Sequence, residues 1–176
     1  MTNQLILSRL ARSFERLFDH DGELFERGQG GVHEQTLTFR LGIYLQDEFP
    51  ALHVDCEYNR RGNDLKKRRH GGQLIKPDVV VHKRGVPNAN LLIIEAKKSS
   101  QWNANFQELS DKVCDLTNHA GQYRYKIGLC WNLAESRIRA DHRAFWFSNG
   151  GFVLDTPLHR FQSTVLARFQ ELGYDG

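Results

Sequence analysis

Cysteine is scarce in this 176-residue chain. The three that occur, Cys56, Cys114 and Cys130, are odd in number and far apart. Such usage argues against a disulfide framework and points to a reducing, cytoplasmic setting. Long apolar runs are missing too, and none approaches the roughly 20 residues of a membrane-spanning helix. The opening stretch MTNQLILSRLARSFERLF is apolar but broken by Arg9, Arg12 and Glu15. That pattern reads as an amphipathic helix, not a secretory signal. There is no internal repeat, low-complexity tract, G-x-S-x-G elbow, P-loop or G-x-G-x-x-G after a strand. No Cys/His spacing resembles a zinc site. His33 and His82 read as surface or satisfied core groups before ligands.

What remains is an ordinary globular mix, 40% hydrophobic and 26% charged. The length fits one domain with a core of its own. Apolar spacing predicts a helix over Asn3 to Phe18 and a second over Val32 to Glu48, stopped by Pro50. Three strands follow: Leu52 to Arg60, the Val-rich IKPDVVVHK, and the nearly all-apolar NLLIIEAKK, expected at the centre of a sheet. NFQELSDKVCDLTNHA then reads as a helix and YKIGLCWNLA as a fourth strand. RAFWFSNGGFVLD reads as a late hairpin, and LHRFQSTVLARFQELG as a closing amphipathic helix. The expected class is α/β, with a mixed central sheet flanked by helices.

The segment IKPDVVVHKRGVPNANLLIIEAKK holds the chemistry-bearing residues. Residues two apart on a strand share a face, so Glu95 and Lys97 are expected to point together. A carboxylate and an ammonium on a central strand are costly unless paired or bound to something. If the two strands pair antiparallel across their short turn, Asp78 comes close to opposite Glu95. Two neighbouring carboxylates repel unless a cation lies between them. Mg²⁺ fits, since it takes hard oxygen ligands and keeps several waters. A cation so held, with a lysine beside it, polarises a phosphoryl oxygen and acidifies a bound water. The lysine can position or deprotonate that water, or stabilise developing charge. Glu34, in the first turn of the second helix, could bind a second metal or hold a metal-bound water.

Asp78 after Pro77, with Glu95-Ala96-Lys97 at a strand end, resembles the PD-(D/E)xK nuclease superfamily, also called restriction-endonuclease-like. The resemblance covers residues 32 to 134. It implies an αβββαβ core and Mg²⁺-dependent cleavage of phosphodiester bonds, usually in DNA, with Mn²⁺ as a substitute ion. It implies Glu34, Asp78, Glu95 and Lys97 as the catalytic set, with Asp78, Glu95 and Glu34 as metal ligands. It also implies that the main-chain carbonyl of Ala96 often joins the metal shell. Gln122, Tyr123 and Tyr125 do not fit the glutamine-tyrosine motif of some exonuclease branches, so the two tyrosines read as core aromatics.

Charge is unevenly spread. Net charge is +3, yet NRRGNDLKKRRHGG alone carries six Lys/Arg against one Asp, which leaves −2 for the rest. Arg60, Arg61, Lys66, Lys67, Arg68 and Arg69 form an expected basic arm beside the acidic pair, suited to nucleic-acid phosphates. Arg124 and Lys126 are weaker extensions of it. An inactive nucleic-acid-binding or regulatory module on the same fold is the alternative to a nuclease. A phosphohydrolase acting on a small nucleotide is a third reading, though it needs no basic arm. The closing helix, with Leu158, Phe161, Val165, Phe169 and Leu172, reads first as core packing and second as a homodimer interface.

Overall fold

The computed structural model describes residues 1–25, 33–61, 64–67, 72, 74–86, 88–133 and 144–152, without the side chains of 61, 64, 99–103, 132, 133, 144–146 and 152. The closing helix, its dimer reading, Arg68 and Arg69 lie outside the described residues. So does the side chain of Arg61.

The chain opens with helix α1 (Asn3–Asp21), capped by the Thr2 hydroxyl on the Leu5 N–H, and a 3-10 turn (Gly22–Phe25). Helix α2 covers Glu34–Glu48. Strand β1 (His53–Cys56), a small hairpin of β2 (Arg60–Arg61) and β3 (Asp64–Leu65), and strands β4 (Val79–His82) and β5 (Asn90–Lys98) follow. Helix α3 (Ser99–Thr117) leads to β6 (Ile127–Leu133), β7 (Ala144–Ser148) and β8 (Gly151–Phe152). No described helix is long and apolar enough to cross a membrane.

The result is a mixed α/β arrangement around a sheet of order β1-β4-β5-β6-β7-β8. β1, β4 and β5 form an antiparallel meander, and α3 crosses over so that β6 runs parallel to β5. The expected hairpin between the second and third strands is thus present, as is the late hairpin. Asn149 and Gly150, at φ 51° and 74°, turn the latter tightly, the left-handed geometry that a two-residue hairpin demands.

Side-chain alternation divides the core in two. Val79, Val81, Leu92, Ile94 and Ala96 face α1 and α2, meeting Leu10, Phe14, Leu17, Leu41 and Leu45. Val80, Ile93 and Cys130 face α3, meeting Leu109, Val113 and Leu116. A strand buried on both faces needs apolar residues at every position, so NLLIIEA is nearly unbroken. Gly128 on β6 lets α3 approach closely: a Cβ there would lie 2.2 Å from Val113 Cγ1.

Two expected boundaries shift. Helix α3 begins at Ser99, directly after β5, although Ser-Ser-Gln-Trp-Asn shows no apolar period. The first strand is only four residues long, because the chain leaves the sheet at Glu57, whose φ is 52°. The segment that follows folds back over the α3 side of the sheet, where Ile75 and Tyr58 join the core.

Candidate functional site

The register of β4 on β5 pairs Val79 with Ile94. Continued by one residue, it sets Asp78 opposite Glu95 at the sheet end where β5 hands over to α3. Asp78 Oδ2 accepts the Ala96 N–H at 2.8 Å, which ties the loop carboxylate to the end of β5. Burial raises the Asp78 pKa, that hydrogen bond and Lys112 pull it back, and the net result lies above the usual aspartate range.

Glu95 is 2% exposed. Its Oε2 accepts from Lys112 Nζ at 2.7 Å. Its Oε1 is the one buried side-chain polar atom among the described residues with no hydrogen-bond partner. Such an atom costs roughly 1–3 kcal/mol or more when left unpaired. Burial, with the charge of Asp78 adding to it against Lys112, pushes the Glu95 pKa up to about 8.

Lys97 and Glu34 close the group from the other layer. Lys97 Nζ donates to Glu34 Oε1 at 2.6 Å. Glu34 is the first residue of α2, where a carboxylate also suits the helix dipole. Burial alone would lower the Lys97 pKa, but Glu34, Asp78 and Glu95 together carry it above the ordinary lysine value. Lys97 therefore stands as an ammonium. Glu95 and Lys97 lie two apart on the strand yet meet partners from different helices, because a lysine at the strand end can reach past the sheet.

All four acidic and basic residues expected from the sequence thus lie at one end of the sheet, and a fifth joins them. Lys112 was not anticipated. It lies three residues after Leu109 and four before Leu116, on the flank of the α3 stripe that faces Glu95. A lysine bordering a buried stripe opposite a strand carboxylate is the signal that could have revealed it.

Among the described residues no three His, Cys, Asp or Glu side chains are grouped to hold a metal ion. The two carboxylates, the unpartnered Glu95 Oε1 and the nearby main chain still fit Mg²⁺, which takes one or two carboxylates and fills the rest of its shell with water.

The basic arm is only partly an arm. Arg60 and Lys67 are exposed. Lys66 is 2% exposed, and it donates from Nζ to the Tyr58 carbonyl at 3.1 Å and the Tyr125 hydroxyl at 2.9 Å. Lys66 thus lies beneath the exposed part of the arm, its charge held among aromatic rings. Tyr123 anchors the same segment, its hydroxyl accepting the Lys67 N–H and donating to the Lys67 carbonyl. Both tyrosines are core residues, at 3% and 0% exposure. His82 is buried against Asp55, with Nε2 to Oδ2 at 2.8 Å. Arg124 and Lys126 spend donors on the Gly121 and Met1 carbonyls.

No family model, curated protein or solved structure matches the chain.

Proposed function

We propose that this chain is a metal-dependent nuclease with a single restriction-endonuclease-like domain, hydrolysing phosphodiester bonds in DNA rather than RNA. The observation that carries the reading is the buried, unpartnered Glu95 Oε1 across from Asp78, with the Lys97 ammonium beside them. The antiparallel meander followed by a parallel strand after α3 supports the fold half of the proposal. Asp78 and Glu95 would hold Mg²⁺, with the Ala96 carbonyl within the same stretch. The ion supplies charge neutralisation at a phosphoryl oxygen and a more acidic water.

The chain's own residues divide the remaining work. Lys97, protonated, orients the attacking water and stabilises charge on the phosphoryl oxygens; it is poorly suited to take a proton. Glu34 holds Lys97 by its 2.6 Å hydrogen bond and fixes the ammonium between the two layers. Lys112 neutralises Glu95 and keeps a buried carboxylate tolerable in the metal-free protein. Arg60 and Lys67 offer exposed cations for the nucleic-acid backbone.

A second reading has its own support. Glu34–Lys97 and Glu95–Lys112 form two closed ion pairs, a balance that needs no metal. An inactive nucleic-acid-binding module fits that balance. A cleavage assay separates the two. Labelled single-stranded DNA, duplex DNA and RNA are each incubated with Mg²⁺, Mn²⁺ or EDTA, with Lys97→Ala alongside. The nuclease reading expects metal-dependent cutting that falls by about 10²–10³-fold in the variant. No cutting and no calorimetric Mg²⁺ binding would sink it and leave the binding module.

A further inference from the structure

A second cluster of charge lies at the other end of β4. His82 is about 13 Å along the strand from Asp78, at the usual rise per residue. A cavity of about 50 Å³ opens there, lined by Tyr58, Arg60, Lys66, His82, Lys83 and Tyr125 among others. Among the described residues its lining carries charge of one sign. The acid on this side, Asp55, is already engaged by His82 Nε2 and by the Arg84 guanidinium. Among the described residues no carboxylate bonds to Lys66. Among those residues its ammonium is held by a carbonyl, a hydroxyl and the faces of Tyr58 and Tyr125, at 4.8 and 5.4 Å from the ring centres. An ammonium has three donors, and two are used among the described residues. The Tyr125 hydroxyl accepts from Lys66 and so keeps its own proton to donate.

Asp55 and Glu95 act on Lys66 from a distance, and a buried ammonium with no acid bonded to it is costly unless an anion compensates it. Burial lowers the Lys66 pKa to about 8, as expected where that compensation is lacking. Arg60 and Lys83 stand at the same cavity with exposed side chains. Size narrows the ligand. The cavity holds a few waters at roughly 10–15 Å³ each, which suits one tetrahedral oxyanion and is too small for a nucleobase.

We propose that this cavity is an anion site for a single phosphate group, gripped by Lys66 and the Tyr125 hydroxyl from within and by Arg60 and Lys83 at its mouth. The site needs no metal and is independent of the chemistry proposed at Glu95. The phosphate comes from a nucleic-acid backbone or from a free phosphate, and charge-assisted hydrogen bonds would hold either.

Inorganic phosphate is titrated calorimetrically into wild type, Lys66→Met and Lys83→Ala, all in EDTA, with circular dichroism confirming the fold. A short single-stranded oligonucleotide forms a second arm under the same conditions. The expected result is one phosphate per chain, with affinity at least about tenfold weaker in Lys66→Met and measurably weaker in Lys83→Ala. If Lys66→Met does not fold, Lys83→Ala and Arg60→Ala carry the test. No phosphate binding by wild type, or equal binding by every folded variant, overturns the proposal. Parallel losses in the oligonucleotide arm support a backbone phosphate as the ligand. Losses confined to inorganic phosphate support a free phosphate. Both arms run without metal, so a failed nuclease assay leaves this result standing, and the reverse holds too.

Discussion

Lys66 and Lys112 show how a buried cation is paid for differently in two places. Lys112 has a carboxylate at 2.7 Å; among the described residues none bonds to Lys66. The Lys66 pKa falls from 10.5 to about 8 on folding. The unfolded state therefore holds more protons across that window, and stability rises as pH climbs through it. The groups that face Lys66 are Asp55, Glu95, Lys112, His82, Arg60, Lys83, Tyr58, Tyr123 and Tyr125. Tyr125, whose pKa burial raises, opposes the gain at the alkaline end. We expect wild type to gain up to about 2 kcal/mol relative to Lys66→Met between about pH 7 and about pH 9.5, read by urea denaturation. A flat difference would mean that Lys66 is already neutral or solvated. At the other site, Lys112→Met leaves Glu95 without its ammonium. Above about pH 8, where Glu95 is ionised, the metal-free protein should lose about 3 kcal/mol at most, and less below it, where Glu95 already holds a proton. Neither lysine could be singled out by composition. Lys66 sits in a run whose average reads as a solvated surface, and Lys112 lies on a helix with an ordinary polar face. Each is distinguished only by what folds on top of it.

At the scale of elements, the β4–β5 hairpin was the most legible part. Its Val-rich and Leu/Ile-rich runs, the turn between them and the acidic ends all follow from period and chemistry. The start of α3 was not legible, since Ser99 to Asn103 offer no apolar stripe and the helix is fixed there by its junction with β5. The excursion after β1 was also hidden. Tyr123 and Tyr125 hold it down from nearly 60 residues away in sequence, and a local pattern carries no trace of that contact. Helix α3 and β6 pack closely at Gly128. Gly128→Ala should cost about 1–3 kcal/mol, because its new methyl meets Val113 and Thr117 side chains at 2.2 and 2.9 Å. Equilibrium denaturation checks this, and an unchanged midpoint would show that α3 yields without strain.

For the whole molecule, any ligand that binds only the folded state adds stability by mass action. If Asp78 and Glu95 hold Mg²⁺, saturating ion should raise the thermal midpoint of wild type. At about a hundred times the dissociation constant the gain is about 2.7 kcal/mol. Asp78→Asn should abolish that rise, and scanning calorimetry with and without EDTA measures it directly. Because binding needs ionised carboxylates, the Mg²⁺ effect should grow as pH rises toward the Glu95 value of about 8. A midpoint indifferent to Mg²⁺ in wild type would favour the two closed ion pairs as the finished state of the site.

The direct passage from β5 into α3 has a consequence for sequence length. With no loop between Lys98 and Ser99, the angular phase of the helix is set by the strand. One residue inserted at that junction turns everything beyond it by about 100°. Lys112 would then swing off Glu95, and the apolar stripe of Leu109, Val113 and Leu116 would leave the sheet. A single-residue insertion there displaces all of these contacts at once, so this junction should tolerate a change in length poorly.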